Sequence, residues 1–588
     1  MESLRPVQTR LRTLRPALAG LSLILGLPAA SAQRAPVESQ HGLVGSASAL
    51  ASRIGTDVLR RGGNAADAAV ATALALAVTY PRAGNLGGGG FLLLRRADGR
   101  ASAVDFRETA PRQAFRELYL DAQGNVVPGR STSGYLASGI PGTVAGLALV
   151  LQGYGSGRFT WGQLVEPARR LAAEGFPVSA ALARDLRAGE KLLGQFPESR
   201  RIFLRDGHFY AEGENLVQPD LAATLARLEK QGPREFYEGE TARLIVAGTS
   251  AQGGLITASD LAGYRAVERT PLRGIYRGYE VLTMPPPSSG GIALLQMLGM
   301  LEPRDVAGLG VNSAAKIHLF AEVMRRAFRD RAEFMGDPDF VRVPVAGLLD
   351  RNYLSRRMAD FDPDRATVSA RLAPGAPDQA RESMETTQFS IVDPAGNAVS
   401  CTYTLNGLFG CGVTVPGAGF LLNNEMDDFA AKPGAKNMYG LVQGDANAIG
   451  PGRRPLSSMT PTIVLKEGKP FLVTGSPGGP TIISTVLLVI TNVIDHGMSV
   501  TQAVDAPRFH HQWLPDEISH EPFFTSPDSV VLLNGKGHVL AARTLYPNAP
   551  EAGARTWGDA ETILIDPDTG LRRGANDPRS ADSAVVGW

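Results

Sequence analysis

Cysteine is nearly missing from this 588-residue chain: Cys401 and Cys411 are the only two, ten positions apart. A disulfide-stapled fold is therefore excluded. The pair could bridge across a loop, or both could be small buried hydrophobes, and the spacing leaves the two open. Histidine is also scarce, at eight residues. Adjacent His510-His511 lacks cysteine or carboxylate partners at ligand spacing, so no metal is expected. Net charge is absent too, since 59 Lys+Arg nearly cancel 58 Asp+Glu. No long-range field would gather nucleic acid or anionic lipid. Long apolar runs are missing: the stretch Ala17 to Leu27 is well short of the roughly 20 residues a spanning helix needs. No Gly-Lys-Ser/Thr ends a glycine-rich loop, which argues against nucleotide, and no cofactor is expected.

What remains is ordinary globular composition, 44% hydrophobic and 20% charged, on a chain several times longer than a domain of about 100–200 residues. At the front, Arg5, Arg10, Arg12 and Arg15 precede the apolar stretch, and Ala30-Ser31-Ala32 offers a small-residue cleavage site. Residues 1–32 read as a signal peptide, the mature chain starts near Gln33, and the protein is periplasmic or secreted without a stable membrane span. A retained anchor is the alternative.

The early chain alternates helices with Gly-rich turns. Ala47 to Leu59 is helical in pattern, Gly62-Gly63-Asn64 stops it, and another helix starts at Ala65. Gly87 to Gly90 precedes the apolar run Phe91 to Leu94, which predicts a close backbone approach before a buried strand. Helical patterns dominate from about 140 to 360, including Ala314 to Phe334, ended by Gly336-Asp337-Pro338. Between about Phe361 and Arg381, Pro363, Pro374, Gly375 and Pro377 mark an exposed linker. Strands and hairpins follow: Thr387 to Val392 and Ala398 to Leu405 flank a Pro/Gly turn, and Thr462 to Leu465 and Phe471 to Thr474 flank another. Gly475 to Pro480 then opens a helix over Thr481 to Ile494. This mixture without a strict βαβ rhythm implies a layered α/β or α+β enzyme.

Thr386 stands where the linker meets the first strand. A cut before it would create an amino-terminal threonine with a hydroxyl nucleophile and an α-amino base of pKa about 7.7–8.0. Threonine is also simply a good strand residue.

The motifs around it decide between these readings. Thr386-Thr387-Gln388-Phe389-Ser390, Thr402 to Asn406, Leu421 to Phe429, Arg453 to Met459 and Gly475 to Gly479, in this order and spacing, closely resemble the small subunit of the γ-glutamyltranspeptidases. The likeness extends forward to Gly62 to Ala69, Asn85 to Gly90, Asp105 to Pro111, Pro141-Gly142-Thr143 and Pro285 to Gly291. It covers nearly everything after the signal segment.

The resemblance implies an α+β N-terminal nucleophile fold, an αββα sandwich of two stacked sheets between helical layers. It implies a precursor cut into a large subunit, 33–385, and a small catalytic subunit, 386–588, that stay together. Thr386 would be the nucleophile first for cleavage of the peptide bond before it and then for attack on a γ-glutamyl carbonyl, with the Thr404 hydroxyl placed against it and Gly478 and Gly479 as oxyanion hole. A γ-glutamyl donor has an α-carboxylate and an α-ammonium. Arg107 would grip the carboxylate with Ser457 and Ser458, while Asn406, Glu425 and Asp428 accept from the ammonium. Lys432 to Gly440 resembles a lid loop with Tyr439 as its aromatic contact. The implied partners are glutathione and other γ-glutamyl compounds, with amino-acid or peptide amines or water as acceptors. One departure stands out: many members carry histidine where this chain has Gln388. Two alternatives are an amidase of the same fold acting on another acyl group, such as a β-lactam side chain or poly-γ-glutamate, and an uncut binding protein for glutathione-like ligands.

Overall fold

Two seven-stranded antiparallel sheets form the centre of the computed structural model, which describes residues 34–377, 388–543 and 557–588. Met1–Ala35 forms one unit, of which only Arg34 and Ala35 are described, and Pro36–Trp588 forms the other. The signal peptide, Thr386, Thr387 and the end of the expected linker therefore lie outside the described residues.

In the first sheet the strand order is Ala584–Gly587, Leu43–Ser46, Phe389–Val392, Ala398–Thr404, Gly89–Arg95, Ala101–Asp105, Val267–Arg269. In the second it is Val37–Ser39, Arg572–Ala575, Thr562–Ile565, Lys469–Thr474, Thr462–Lys466, Tyr279–Thr283, Leu272–Tyr276. Each sheet thus mixes strands from before and after position 386. Alternation explains the apolar run at 91–94. Leu92 and Leu94 face a helical layer with Val70 and Leu74, whereas Phe91 and Leu93 face the other sheet with Ile463 and Val473. Burying each such side chain contributes about 1.5–3 kcal/mol.

One helical layer includes Ala49–Arg60 and Ala65–Thr79. The second of these is buried along its whole length and begins with a capping box, Asn64 accepting from the Ala66 and Asp67 N–H groups while Asp67 accepts from Asn64. The opposite layer holds Ser289–Leu301, Ala314–Phe334 and Thr481–Ile494. These layers complete the expected αββα sandwich. Nine of the fourteen strands in the two sheets escape the sequence reading, among them Val37–Ser39 and Leu43–Ser46 in the supposedly helical front, and Val267–Arg269, Leu272–Tyr276 and Tyr279–Thr283 in the supposedly helical middle. Three to five residues are too few to show a period. The hairpin expected around 466–469 tightens to a two-residue turn, with Glu467 and Gly468 both at positive φ.

The Gly87–Gly90 run does what its composition implies. A Cβ on Gly88 would lie 1.9 Å from the Thr404 carbonyl oxygen, and one on Gly90 would lie 2.4 Å from Tyr403 Cα. The backbone of this turn rests directly on the end of the strand Ala398–Thr404. The linker is exposed through much of 361–377 but anchored, with the Thr367 N–H on Glu322 and the Ser369 N–H on Asp516. Cys401 and Cys411 are two free, buried thiols, which sets aside the bridge; Cys401 faces the helices and Cys411 is held by its N–H on the Leu422 carbonyl.

Candidate active site

The strand that follows Thr386 brings its first described residue, Gln388, into the seam between the sheets. The Gln388 amide donates to Ser390 Oγ and Ser400 Oγ, both at 2.9 Å, and accepts from Thr402 Oγ1 at 2.8 Å. A Cβ on Gly475 would fall 2.0 Å from Gln388 Oε1, so the opening residue of the Gly475–Gly479 loop must be glycine to let this strand approach. Gln388, where the resemblance led one to expect histidine, is thus a satisfied amide in a network of hydroxyls. A neutral imidazole offers one donor and one acceptor, one donor fewer than this amide uses.

Beyond Gly475 the loop bends sharply, with Gly478 at φ +129° and Gly479 at φ +58°, and runs into the helix Thr481–Ile494. Their N–H groups have no partner among the described residues, as expected for amides at a helix N-terminus. Such amides can stabilise an oxyanion. Tyr439 lies over them: a Cβ on Gly479 would be 3.0 Å from its ring. The Tyr439 hydroxyl donates to the Asn406 carbonyl at 2.7 Å, while Asn406 itself sits at φ +72° with its N–H on Thr404 Oγ1 at 2.8 Å. That turn ends the strand one residue before the expected Leu405. It places Thr404, Asn406 and Tyr439 in a single hydrogen-bonded chain.

Other expected binding residues are brought together from distant parts of the chain. Arg107 is fully buried and donates to Asp428 Oδ2 at 2.8 Å and to Glu425 Oε1, with Glu108 Oε2 at 3.6 Å. The group expected to hold a carboxylate is therefore bonded to two of those expected to hold an ammonium. Asp428 also accepts from Asn437 Nδ2 at 2.9 Å on its side chain and from Gln443 and Asn447 on its carbonyl. Burial raises the Asp428 carboxyl above its usual range against the opposing pull of Arg107, and burial pushes Glu108 up to about 7. Ser457 and Ser458 are buried, and their hydroxyls make no hydrogen bond among the described residues. The Ser457 carbonyl accepts from the Ser289 N–H at 3.0 Å, which ties this segment to the start of the helix Ser289–Leu301.

Glu108, Ser289, Arg331 and Asn437 escaped the sequence reading. Arg331 Nε donates to Ser289 Oγ at 2.9 Å, and its charge opposes the rise of Asp428. Glu108, Ser289 and Asn437 lie inside the motifs Asp105 to Pro111, Pro285 to Gly291 and Lys432 to Gly440, so their motif positions were the available signal. Arg331, within a long helix, carried none.

Contrary to the expectation from spacing, His511 does meet a carboxylate. His511 Nε2 is 3.3 Å from Asp516 Oδ1, five residues away, because the turn through Trp513 and Pro515 folds the chain back. A second group, His318, Glu322 and His538, has the spacing of a metal site. Its donors are already engaged: His318 Nδ1 is 2.7 Å from His538 Nε2, His318 Nε2 is 2.8 Å from the Asp362 carbonyl, and Glu322 pairs with Arg325, Arg326 and Thr367. Two guanidiniums beside the carboxylate oppose a cation there.

The γ-glutamyltranspeptidase family model matches residues 51–587. The glutathione hydrolase proenzyme of Escherichia coli (strain K12) is 49% identical over 556 residues, spanning 94% of this chain and 93% of its own. Among solved structures, a cephalosporin acylase from Bacillus halodurans superposes with a TM-score of 0.83 at 28% identity, covering 95% of this chain and 97% of that one. Helicobacter pylori γ-glutamyltranspeptidase superposes with a TM-score of 0.54 at 45% identity over 55% of this chain and 93% of its own. With both sheets, both helical layers and nearly the full length matched, the chain belongs to the γ-glutamyltranspeptidase family.

Proposed function

We propose that this protein is a self-processing γ-glutamyltransferase and glutathione hydrolase. It would cut itself before Thr386 and pass γ-glutamyl groups through a threonyl ester to water or to amino-acid and peptide amines. The observation that carries the reading is the contact of Gln388 with Gly475, which joins the segment just after Thr386 to the amides of Gly478 and Gly479. In the reaction the Thr386 hydroxyl adds to the γ-carbonyl, its proton passing to the new α-amino group, and the two amides receive the oxyanion. Collapse expels the donor amine with that proton, and an acceptor then reverses the sequence. Thr404 orients the nucleophile; Arg107, Ser457 and Ser458 hold the α-carboxylate; Asn406, Glu425 and Asp428 hold the ammonium; Tyr439 covers the site.

The cut would leave chains 33–385 and 386–588 together, because strands of both are hydrogen-bonded within each sheet. Among the described residues no helix is long and apolar enough to cross a membrane, in keeping with an exported protein freed of its first 32 residues. The likeness to a cephalosporin acylase favours a second reading, an amidase for an acyl group without the amino-acid head. Arg107 and Asp428 weigh against it, since such a group has nothing for Asp428 to bind.

The test is intact mass and amino-terminal sequencing of purified protein beside Thr386→Ala. Two chains, one beginning at Thr386, with the variant whole, are expected. An uncut wild type, or a cut elsewhere, removes the nucleophile and leaves the binding-protein reading in front. Turnover of γ-glutamyl-p-nitroanilide in preference to a glutaryl amide separates transferase from acylase.

A further inference from the structure

Outside the residues given roles above, one buried group of acids touches both parts of the site. Asp559 and Glu561 lie two residues apart just before the strand Thr562–Ile565, in a turn where the Glu561 N–H donates to the Asp559 carbonyl at 3.1 Å. Both are buried, and Asp559 Oδ1 and both Glu561 carboxyl oxygens find no hydrogen-bond donor among the described residues. The two carboxyls instead face each other. A pair of acceptors can bond only if one carries a proton.

This pair is wired to the catalytic elements through its backbone. The Asp559 N–H donates to Ser476 Oγ at 3.0 Å, inside the Gly475–Gly479 loop. The Glu561 carbonyl accepts from Ser390 Oγ at 2.6 Å, and Ser390 Oγ in turn accepts from Gln388. Glu561 Oε2 also lies 3.1 Å from where a Cβ on Gly45 would be, beside the strand Phe389–Val392. We propose that Asp559 and Glu561 share a single proton and act as a positioning pair for the reaction, keeping the Gly475–Gly479 loop and the strand after Thr386 aligned only while that proton is held.

The surroundings favour retaining it. Asp577 accepts from the Ala560 N–H at 2.7 Å and, although buried, is held ionised by Arg508 and Arg579, which also bind Glu521. On the other side stand Tyr80, Arg82 with Asp185, and Asp582, with Ser580 and Ser583 alongside. The three arginines are each already matched by an acid outside the pair. Burial, reinforced by Asp577, pushes Asp559 up to about 7, and burial with Asp559 beside it raises Glu561 well above its usual range. When the proton leaves to solvent, two adjacent carboxylates remain in a closed seam. The strain falls on Ser476 and Ser390.

The enzymatic half of this inference rests on the function proposed above; the shared proton does not. Unfolding of the full chain carrying Thr386→Ala, uncut throughout, is measured from about pH 6 to 9, alone and with Glu561→Gln, whose amide donates to Asp559 without a titrating proton. One proton of difference between folded and unfolded chains changes the unfolding constant about tenfold per pH unit. Glu561→Gln is expected to remove up to that slope, and Asp559→Asn to do the same should the first variant not fold. Equal slopes with and without the amide overturn the pair. In the processed enzyme, kcat/KM for γ-glutamyl-p-nitroanilide is expected to fall at alkaline pH, and the fall to move upward in Glu561→Gln. An equal loss at every pH overturns the positioning role, because a merely structural defect does not follow the proton. No turnover by the wild type removes the proposed function, and the slopes still decide the pair.

Discussion

Replacing Asp428 by asparagine isolates the contribution of one charge to donor recognition. In the structure Asp428 Oδ2 takes a hydrogen bond from Arg107 at 2.8 Å, and Oδ1 takes one from Asn437 at 2.9 Å. Asparagine keeps one acceptor and turns the other into a donor facing a donor, while Glu425 still pairs with Arg107. The fold is therefore expected to survive with a modest loss of stability. Recognition of an α-ammonium loses a charge-assisted hydrogen bond, about 1.5–3 kcal/mol, or roughly a ten- to hundred-fold rise in KM for γ-glutamyl-p-nitroanilide. Because the ammonium is held equally in ground and transition states, kcat is expected to change little. The control is a glutaryl amide, which has the acyl chain and no ammonium. Its kcat/KM should be unchanged or slightly better, since Arg107 has one competitor fewer. An equal loss on both substrates would refute the assignment of Asp428 to the ammonium and reduce it to a support for Arg107.

Tyr439→Phe removes only the hydroxyl that bonds the Asn406 carbonyl, worth about 1 kcal/mol. The ratio of transfer to hydrolysis with a dipeptide acceptor is expected to fall several-fold as water gains access; an unchanged ratio means that the loop is no lid. His510, whose pKa burial drives down to about 3, stays neutral between Ser484 Oγ and Gln512 Oε1, whereas the unfolded chain protonates it near 6.5. The unfolded state thus binds the extra proton, so stability is lost as pH falls from about 6.5 toward 3, by up to about 1.4 kcal/mol per pH unit. His510→Gln should flatten that acid limb in denaturant titrations, and an unaltered limb contradicts the burial argument.

Where the information for a feature is local, the sequence alone was enough. The helix Ala314–Phe334 is readable from its apolar spacing and its Gly336-Asp337-Pro338 stop, and the helix at Ala65 from Asn64 ahead of it, because capping and amphipathicity act within a few residues. The glycine run at 87–90 announced a close backbone approach for a similar reason: only glycine admits one. Motif order was also sufficient for the family and hence for the sandwich.

What the chain does far from itself was decided only by the tertiary structure. The strand Leu43–Ser46 is a few residues long and pairs with Ala584–Gly587 at the other end of the chain, a partner no local pattern could name. Cys401 and Cys411 remained ambiguous until each was seen buried and unbridged. The union of Arg107 with Glu425 and Asp428, and of Asp559 with Glu561, has the same origin. A charged residue in a sequence reads as solvated until folding removes its water, and only the packed structure shows which charges lost it and which groups they met instead.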